Sequence, residues 1–164
     1  MTESYLVSRS IDAPIDRIFG ILADPARHRE LDASDMLGES DSAVLGAVGQ
    51  TFTVLMYRAD LGRYRTLNTV TEFVRDEALT WAPRLDTSYE CPLVDRLSTM
   101  RTGGHTYSYR LVPRGTRTEV TQIYDWSSVQ DPQFAAFCPL IGLEQLAGTL
   151  ANLDRVATSS RPMP

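Results

Sequence analysis

From residue 49 to residue 126 the side chains switch sides at every second position, run after run, and that rhythm points to an antiparallel β-sheet. In residues 49–58, Phe52, Val54 and Met56 oppose Thr51 and Thr53. Residues 63–74 form a longer run, and Gly62 before it makes residues 58–62 a hairpin connection. Residues 78–82 put Leu79 and Trp81 on one side. After a second long loop at residues 83–103, residues 105–112 alternate His105, Tyr107, Tyr109 and Leu111 against Thr106, Ser108 and Arg110. A turn at Pro113-Arg114-Gly115 leads to residues 118–126, where Thr118, Val120, Gln122, Tyr124 and Trp126 oppose Glu119, Thr121 and Asp125.

The rest of the chain reads as helices around that sheet. At the C-terminal end Asp131 suits a helix cap and Pro132 a first helical position, and Pro139 must kink or break whatever starts there. Leu140, Leu143, Leu146, Ala147, Leu150, Leu153 and Ala157 then recur at three- and four-residue steps, with Glu144, Gln145, Asn152 and Arg155 opposite. Near the N-terminus, residues 4–11 alternate as a strand. Pro14 and Asp16 open a helix with Ile15, Ile18, Phe19 and Leu22 on its apolar face, and Asp24-Pro25 ends it and starts a short polar one reaching Leu31. Residues 32–48, rich in Ser, Asp, Gly and Ala, read as a loop with a short edge strand near Met36, either a lid or a plain surface connection. The order strand, two short helices, antiparallel strands, long helix is α+β, with the terminal helix across the concave face of the sheet. One domain is expected over residues 1–157, with a frayed tail at 158–164.

Composition excludes several chemistries. The chain has no lysine: all sixteen cations are arginine, which rules out Schiff-base chemistry and the lysine-dependent phosphate loop. The net charge is −5 and the cations are scattered singly, which argues against nucleic acid. No apolar run approaches the roughly 20 residues that span a bilayer, so no integral membrane association is expected. Met1 to Tyr5 lacks the regions of a signal peptide, and the expected location is the cytoplasm, with Cys91 and Cys138 as free thiols. Zinc-ligand spacing, a Gly-x-Ser-x-Gly elbow, a dinucleotide fingerprint and a CxxC pair are all missing, so neither a metal nor a cofactor is expected.

Ser8-Arg9-Ser10-Ile11-Asp12-Ala13-Pro14-Ile15-Asp16-Arg17-Ile18-Phe19 resembles the opening of the START-like, polyketide cyclase/dehydrase superfamily (SRPBCC proteins). Ile21-Leu22-Ala23-Asp24-Pro25, Asn68-Thr69-Val70-Thr71-Glu72-Phe73, Leu79-Thr80-Trp81, Gly104-His105-Thr106-Tyr107-Ser108-Tyr109 and Val120-Thr121-Gln122-Ile123-Tyr124-Asp125-Trp126 continue the likeness in order. The resemblance implies a helix-grip fold, in which a sheet of about seven strands wraps the C-terminal helix and encloses a cavity for an apolar small molecule. The superfamily shares no catalytic motif, so any site must be argued from its own side chains.

The inner strand faces carry His105, Tyr107, Tyr109, Gln122, Tyr124, Trp126 and Trp81, where a plain core would read Val, Ile and Leu. Aromatics with polar tips suit a ligand wall; alternatively, they fill the core and bond to nearby backbone. Phe52, Val54 and Met56 are expected to join them. Asn68 and Val70 join if that face of their strand points inward, and a bulge could switch the face midway. Phe134, Phe137, Leu140 and Leu143 are expected at the cavity mouth, where the segment at residues 132–138 could act as a gate with the loop at 32–48. His105 is the one candidate for acid–base work, or else a structural histidine; His28, among Arg27, Arg29 and Glu30, is expected on the surface. The expected function is a binder or carrier of an apolar small molecule, a lipid or a polyketide-like compound. The alternative is a polyketide cyclase or dehydratase using His105 with Tyr107, Tyr109 or Asn68. The expected oligomeric state is monomer or homodimer.

Overall fold

The computed structural model describes residues 2–159. The strands are β1 (Ser4–Ile11), β2 (Thr51–Arg58), β3 (Gly62–Val74), β4 (Ala78–Leu85), β5 (Thr106–Arg114) and β6 (Arg117–Asp125). They form one curved antiparallel sheet in the order β1-β6-β5-β4-β3-β2. The sheet thus has six strands among the described residues, not about seven. The edge strand expected near Met36 is reduced to a single bridge between Leu37 and Met56. The cause lies just before it. The Asp32 carboxylate accepts hydrogen bonds from the Ser34, Met36 and Leu37 amides and winds those residues into a turn, so the chain meets β2 only over residues 36–39, where Gly38 donates to the Leu55 carbonyl and Leu55 and Tyr57 donate to the Glu39 and Met36 carbonyls.

Two irregularities decide what the sheet presents. The β3–β4 register shifts between Val70 and Glu72, the mark of a bulge. Tyr64, Asn68 and Val70 are buried before the shift, and Phe73 meets Phe19 edge-on at 5.4 Å after it. Glu72 is turned to the outer face, where Arg110 pairs with it at 2.7 Å. In β4 the strand continues through Pro83, which reads as a stop in the sequence. The Leu85 amide, which shares Pro83's parity, donates to Thr102 Oγ1 on the side where pairing with β5 has already ended at Trp81. The missing N–H of Pro83 therefore costs the ladder nothing.

The helices are α1 (Ile15–Leu22), α2 (His28–Leu31), α3 (Pro92–Arg96), α4 (Pro132–Ala135) and α5 (Leu143–Ala157), with a 3-10 turn at Pro25–Arg27. The α3 helix, with Leu93 buried, lies in what reads as a loop. The α5 helix lies across the concave face, where Leu146, Leu150, Leu153 and Ala157 are buried and Asp154 meets Arg9 of β1 at 2.7 Å. Leu143 and Ala147 are exposed, contrary to the expected stripe. The helix begins three residues later than Leu140 because Gln145 Oε1 accepts the Gly142 amide at 2.8 Å and closes the first turn there. Gly148 allows α5 to approach the end of α2: an added Cβ would come within 2.8 Å of the Ala33 Cβ. The tail expected at residues 158–164 lies outside the described residues from 160 onward. No helix among the described residues is long and apolar enough to cross a membrane.

Candidate functional site

Towards its N-terminal end α5 stands off the sheet, and a cavity of about 200 Å³ opens between them. β2 supplies Phe52, Val54 and Met56 to its wall, β3 supplies Asn68 and β4 supplies Trp81. His105, Tyr107 and Tyr109 come from β5 and the residue before it, Gln122 from β6. Phe134 and Leu140 close the helical side.

The other expected lining residues stand elsewhere. Val70 is buried in the hydrophobic core one step beyond Asn68 and outside the cavity wall. Tyr124 is on the same face as Tyr107, its cross-strand partner, but beyond the cavity: it is fully buried and stacked on Tyr107 with ring centroids 4.7 Å apart. Its hydroxyl accepts the Leu140 amide at 3.0 Å. Trp126, just past the end of β6, packs edge-on against Tyr5 of the edge strand. Phe137 and Leu143 are exposed, the first beyond the short α4 and the second on the outer side of the first turn of α5.

His28 is the largest correction. It is buried in the cavity wall rather than on the surface. Its ring stacks on Trp81 at 5.1 Å and meets Phe52 edge-on at 5.7 Å, while Nε2 donates to the Leu22 carbonyl at 2.7 Å. The 3-10 turn at Pro25–Arg27 resets the rotation of the chain, so His28 and Leu31, three apart, share the inner side despite their charged neighbours. Asp32, Tyr64, Leu93, Gln145 and Thr149 also line the cavity without having been singled out.

The electrostatics are those of a nearly dry site. Burial pulls the His105 imidazole down to about 4, and it lowers His28 as well. Burial pushes Tyr64 up to about 12 and raises Tyr107; it also raises Tyr109, with the charge of Asp32 adding to the effect. The Asn68 amide is already committed, donating to the Phe52 carbonyl and Thr66 Oγ1 at 3.2 Å each. Gln122 Nε2 donates to the Tyr109 hydroxyl at 2.9 Å. Two buried polar atoms of the wall side chains have no hydrogen-bond partner among the described residues: His105 Nδ1 and Gln122 Oε1.

No family profile matches the chain, and no curated protein matches it. Solved structures do. Protein Ms6760 from Mycobacterium smegmatis is 15% identical at a TM-score of 0.69, over 98% of this chain and 94% of that one. Protein CV1439 from Chromobacterium violaceum is 13% identical at 0.69, over 97% and 100%. DynU16, a protein of the dynemicin biosynthetic locus, is 15% identical at 0.61, over 99% of this chain; the match spans 49% of DynU16. The likeness is one of fold.

His105 owes its position to the residue before it. Gly104 has φ +98°, and a Cβ there would stand 2.8 Å from the Ser128 carbonyl oxygen and 2.9 Å from Val129 Cα. Left-handed strain and a clash with rigid backbone together put the expected cost of Gly104→Ala at about 3 kcal/mol. Urea unfolding measures it; wild-type stability in that variant would mean that residues 103–105 do not pack on 128–129. The site offers no metal cage: among the described residues no three of His, Cys, Asp and Glu converge on one point. What the wall can do is stack on an apolar ring through Trp81, Tyr107 and Tyr109 and meet polar groups at a few fixed positions.

Proposed function

We propose that the chain binds an apolar small molecule, a lipid or a polyketide-like ring compound, in the cavity between the sheet and α5, and acts as its binder or carrier. The observation that carries this reading is the cavity itself: a partly open space walled by Phe52, Trp81, Tyr107 and Tyr109 where a purely structural core would close on itself. The sequence resemblance to START-like and polyketide cyclase proteins supports it, with the architecture then read as a helix grip. The cyclase or dehydratase alternative is weaker. Among the described residues no carboxylate bonds His105, and an imidazole held near 4 is uncharged at neutral pH and a feeble base.

Tryptophan fluorescence tests the proposal. Of the two tryptophans, Trp81 is in the cavity wall and Trp126 is not, so Trp126→Phe leaves a single reporter. Apolar ring compounds and fatty alcohols are expected to quench or shift Trp81 emission and to raise Tm. At a hundredfold excess over Kd the stabilisation should approach about 2.7 kcal/mol. A panel of such compounds that changes neither signal would reject the cavity as a binding site.

A further inference from the structure

The charges around the cavity are unbalanced, and their arrangement bears on which class of molecule the site takes. Apart from tyrosines, the ionisable side chains that line it among the described residues are His28, Asp32, Arg58, Arg84 and His105. Both histidines are uncharged at neutral pH because burial disfavours their charged forms. Arg58 pairs with Asp60 at 2.8 Å, and at the Tyr64 hydroxyl the two charges act in opposite directions. Arg84 is exposed and has the opposite strand parity to Trp81 and Pro83, which are buried. Asp32 is left unopposed. The Ser34 amide and hydroxyl donate to its Oδ1, and the Met36 and Leu37 amides to its Oδ2, so the group only accepts, as an ionised carboxylate does. Those donors are neutral, and among the described residues no arginine pairs with it. Its charge reaches the wall, where it acts on the buried Tyr109 hydroxyl.

We propose that Asp32 sets the charge selectivity of the cavity, which admits uncharged ring compounds and alcohols and turns away anions, fatty acids and aromatic carboxylates among them. This rests on the binding reading above and narrows it. Any ion loses hydration on entering an apolar site, so either sign binds more weakly than a neutral molecule of the same shape. A carboxylate finds no unpaired cation on the inner wall to offset that loss, and Asp32 repels it as well. A cation bears the same loss but is attracted by Asp32 and by the ring faces of Trp81 and Tyr109. The order of affinity is therefore neutral, then cation, then anion.

Three planar ligands of one shape test this by calorimetry at pH 7.5: 2-naphthamide, which is neutral, 2-naphthamidine, a cation, and 2-naphthoate, an anion. The amide is expected to bind tightest, and the amidine roughly tenfold or more above naphthoate. Asp32→Asn should shrink the ratio of amidine to naphthoate affinity to within about threefold. Because the ratio is taken within one protein, a general loss of affinity from a loosened turn at residues 34–37 does not move it. Asp35→Asn, at an exposed position outside the wall, should leave the ratio unchanged. If naphthoate binds as tightly as the amide, or the amidine gains nothing over naphthoate, the inference is wrong while the binding reading stands. It is equally wrong if the amidine outbinds the amide, which would make the cavity a cation site. Naphthalene bound with the amide excluded would make polarity rather than charge the criterion and overturn it too. If Asp35→Asn lowers the ratio as far as Asp32→Asn, the selectivity does not belong to Asp32. If naphthalene and all three derivatives fail to bind, the binding reading falls and takes the inference with it. The ligand series on the wild-type chain decides the charge order even where Asp32→Asn does not fold.

Discussion

Tyr124→Ala is expected to lower the stability of the chain by about 4 kcal/mol, near the upper range for removal of a buried aromatic ring. The ring is fully buried. It stacks on Tyr107 at 4.7 Å and 13°, and it touches Trp126 at 4.9 Å. Its neighbours Tyr107 and Trp126 are held by the sheet, so much of the lost contact is expected to become a cavity. Tyr124→Phe keeps the ring and removes one hydrogen bond, leaving the Leu140 amide without its acceptor, and should cost about 1 kcal/mol. The two variants therefore separate packing from anchoring. The first should lower the urea midpoint strongly at unchanged slope. The second should have a small effect on stability and a larger one on ligand affinity, because Leu140 and Ile141 form part of the cavity wall and are held by that bond. A loss below about 1 kcal/mol for Tyr124→Ala would mean that the Tyr107–Tyr124 stack is not part of the folded core.

Much of this arrangement is legible in the sequence where one physical rule acts alone. The alternation of β5 and β6 survives intact because their inner face is continuously buried and their register has no break from Thr106 to Arg114. The helix cap at Asp131 is equally direct: its carboxylate accepts the Gln133 amide, as an aspartate before a proline predicts. Pro92 carries the same first-position signal for α3, and weighing it would have recovered that helix and the cavity residue Leu93.

Elsewhere two rules compete, and the sequence does not show which wins. Along β3 the period of two holds on either side of the bulge, but the offset at Thr71 exchanges the faces, so Asn68 and Phe73 both point inward although their parity differs. At α5 the leucine period extends back to Leu140, yet the Gln145 side chain folds onto the Gly142 amide and sets the start there, which leaves Leu143 in solvent. His28 is hidden by its surroundings: α2 is four residues long, too short to display a period, and three charged neighbours dominate the segment. Its burial depends on contacts with Phe52 and Trp81, which are distant in sequence.

Acidification is expected to destabilise the fold well before the carboxylates protonate. His105 titrates near 4 in the folded protein because burial penalises its charged form, against about 6.5 when unfolded. With the folded value the lower, the unfolded chain takes the proton first, so stability is complete above about pH 6.5 and declines as pH falls towards 4. The full loss from His105 is about 3 kcal/mol, of which about 2 kcal/mol should be gone by pH 5. His28 adds to the decline, since its burial outweighs the opposing pull of the Leu22 carbonyl and the Asp24 charge. Among the described residues no acid offsets this at His105, whose ring neighbours are Tyr107, Tyr124 and Phe134. The depressed carboxyls act in a lower window. Asp86, held below its usual value by the Ser88 hydroxyl and Arg65, and Asp131, held down by the Arg101 and Gln133 amides, give up their contributions only as pH falls below about 3.8. Urea unfolding from pH 7.5 to 4.5 measures the slope directly. His105→Phe should remove the His105 share of it while leaving ring packing in place, and the residue of the slope then belongs to His28. A His105→Phe protein with the whole wild-type slope would show that His105 is solvated in the folded state.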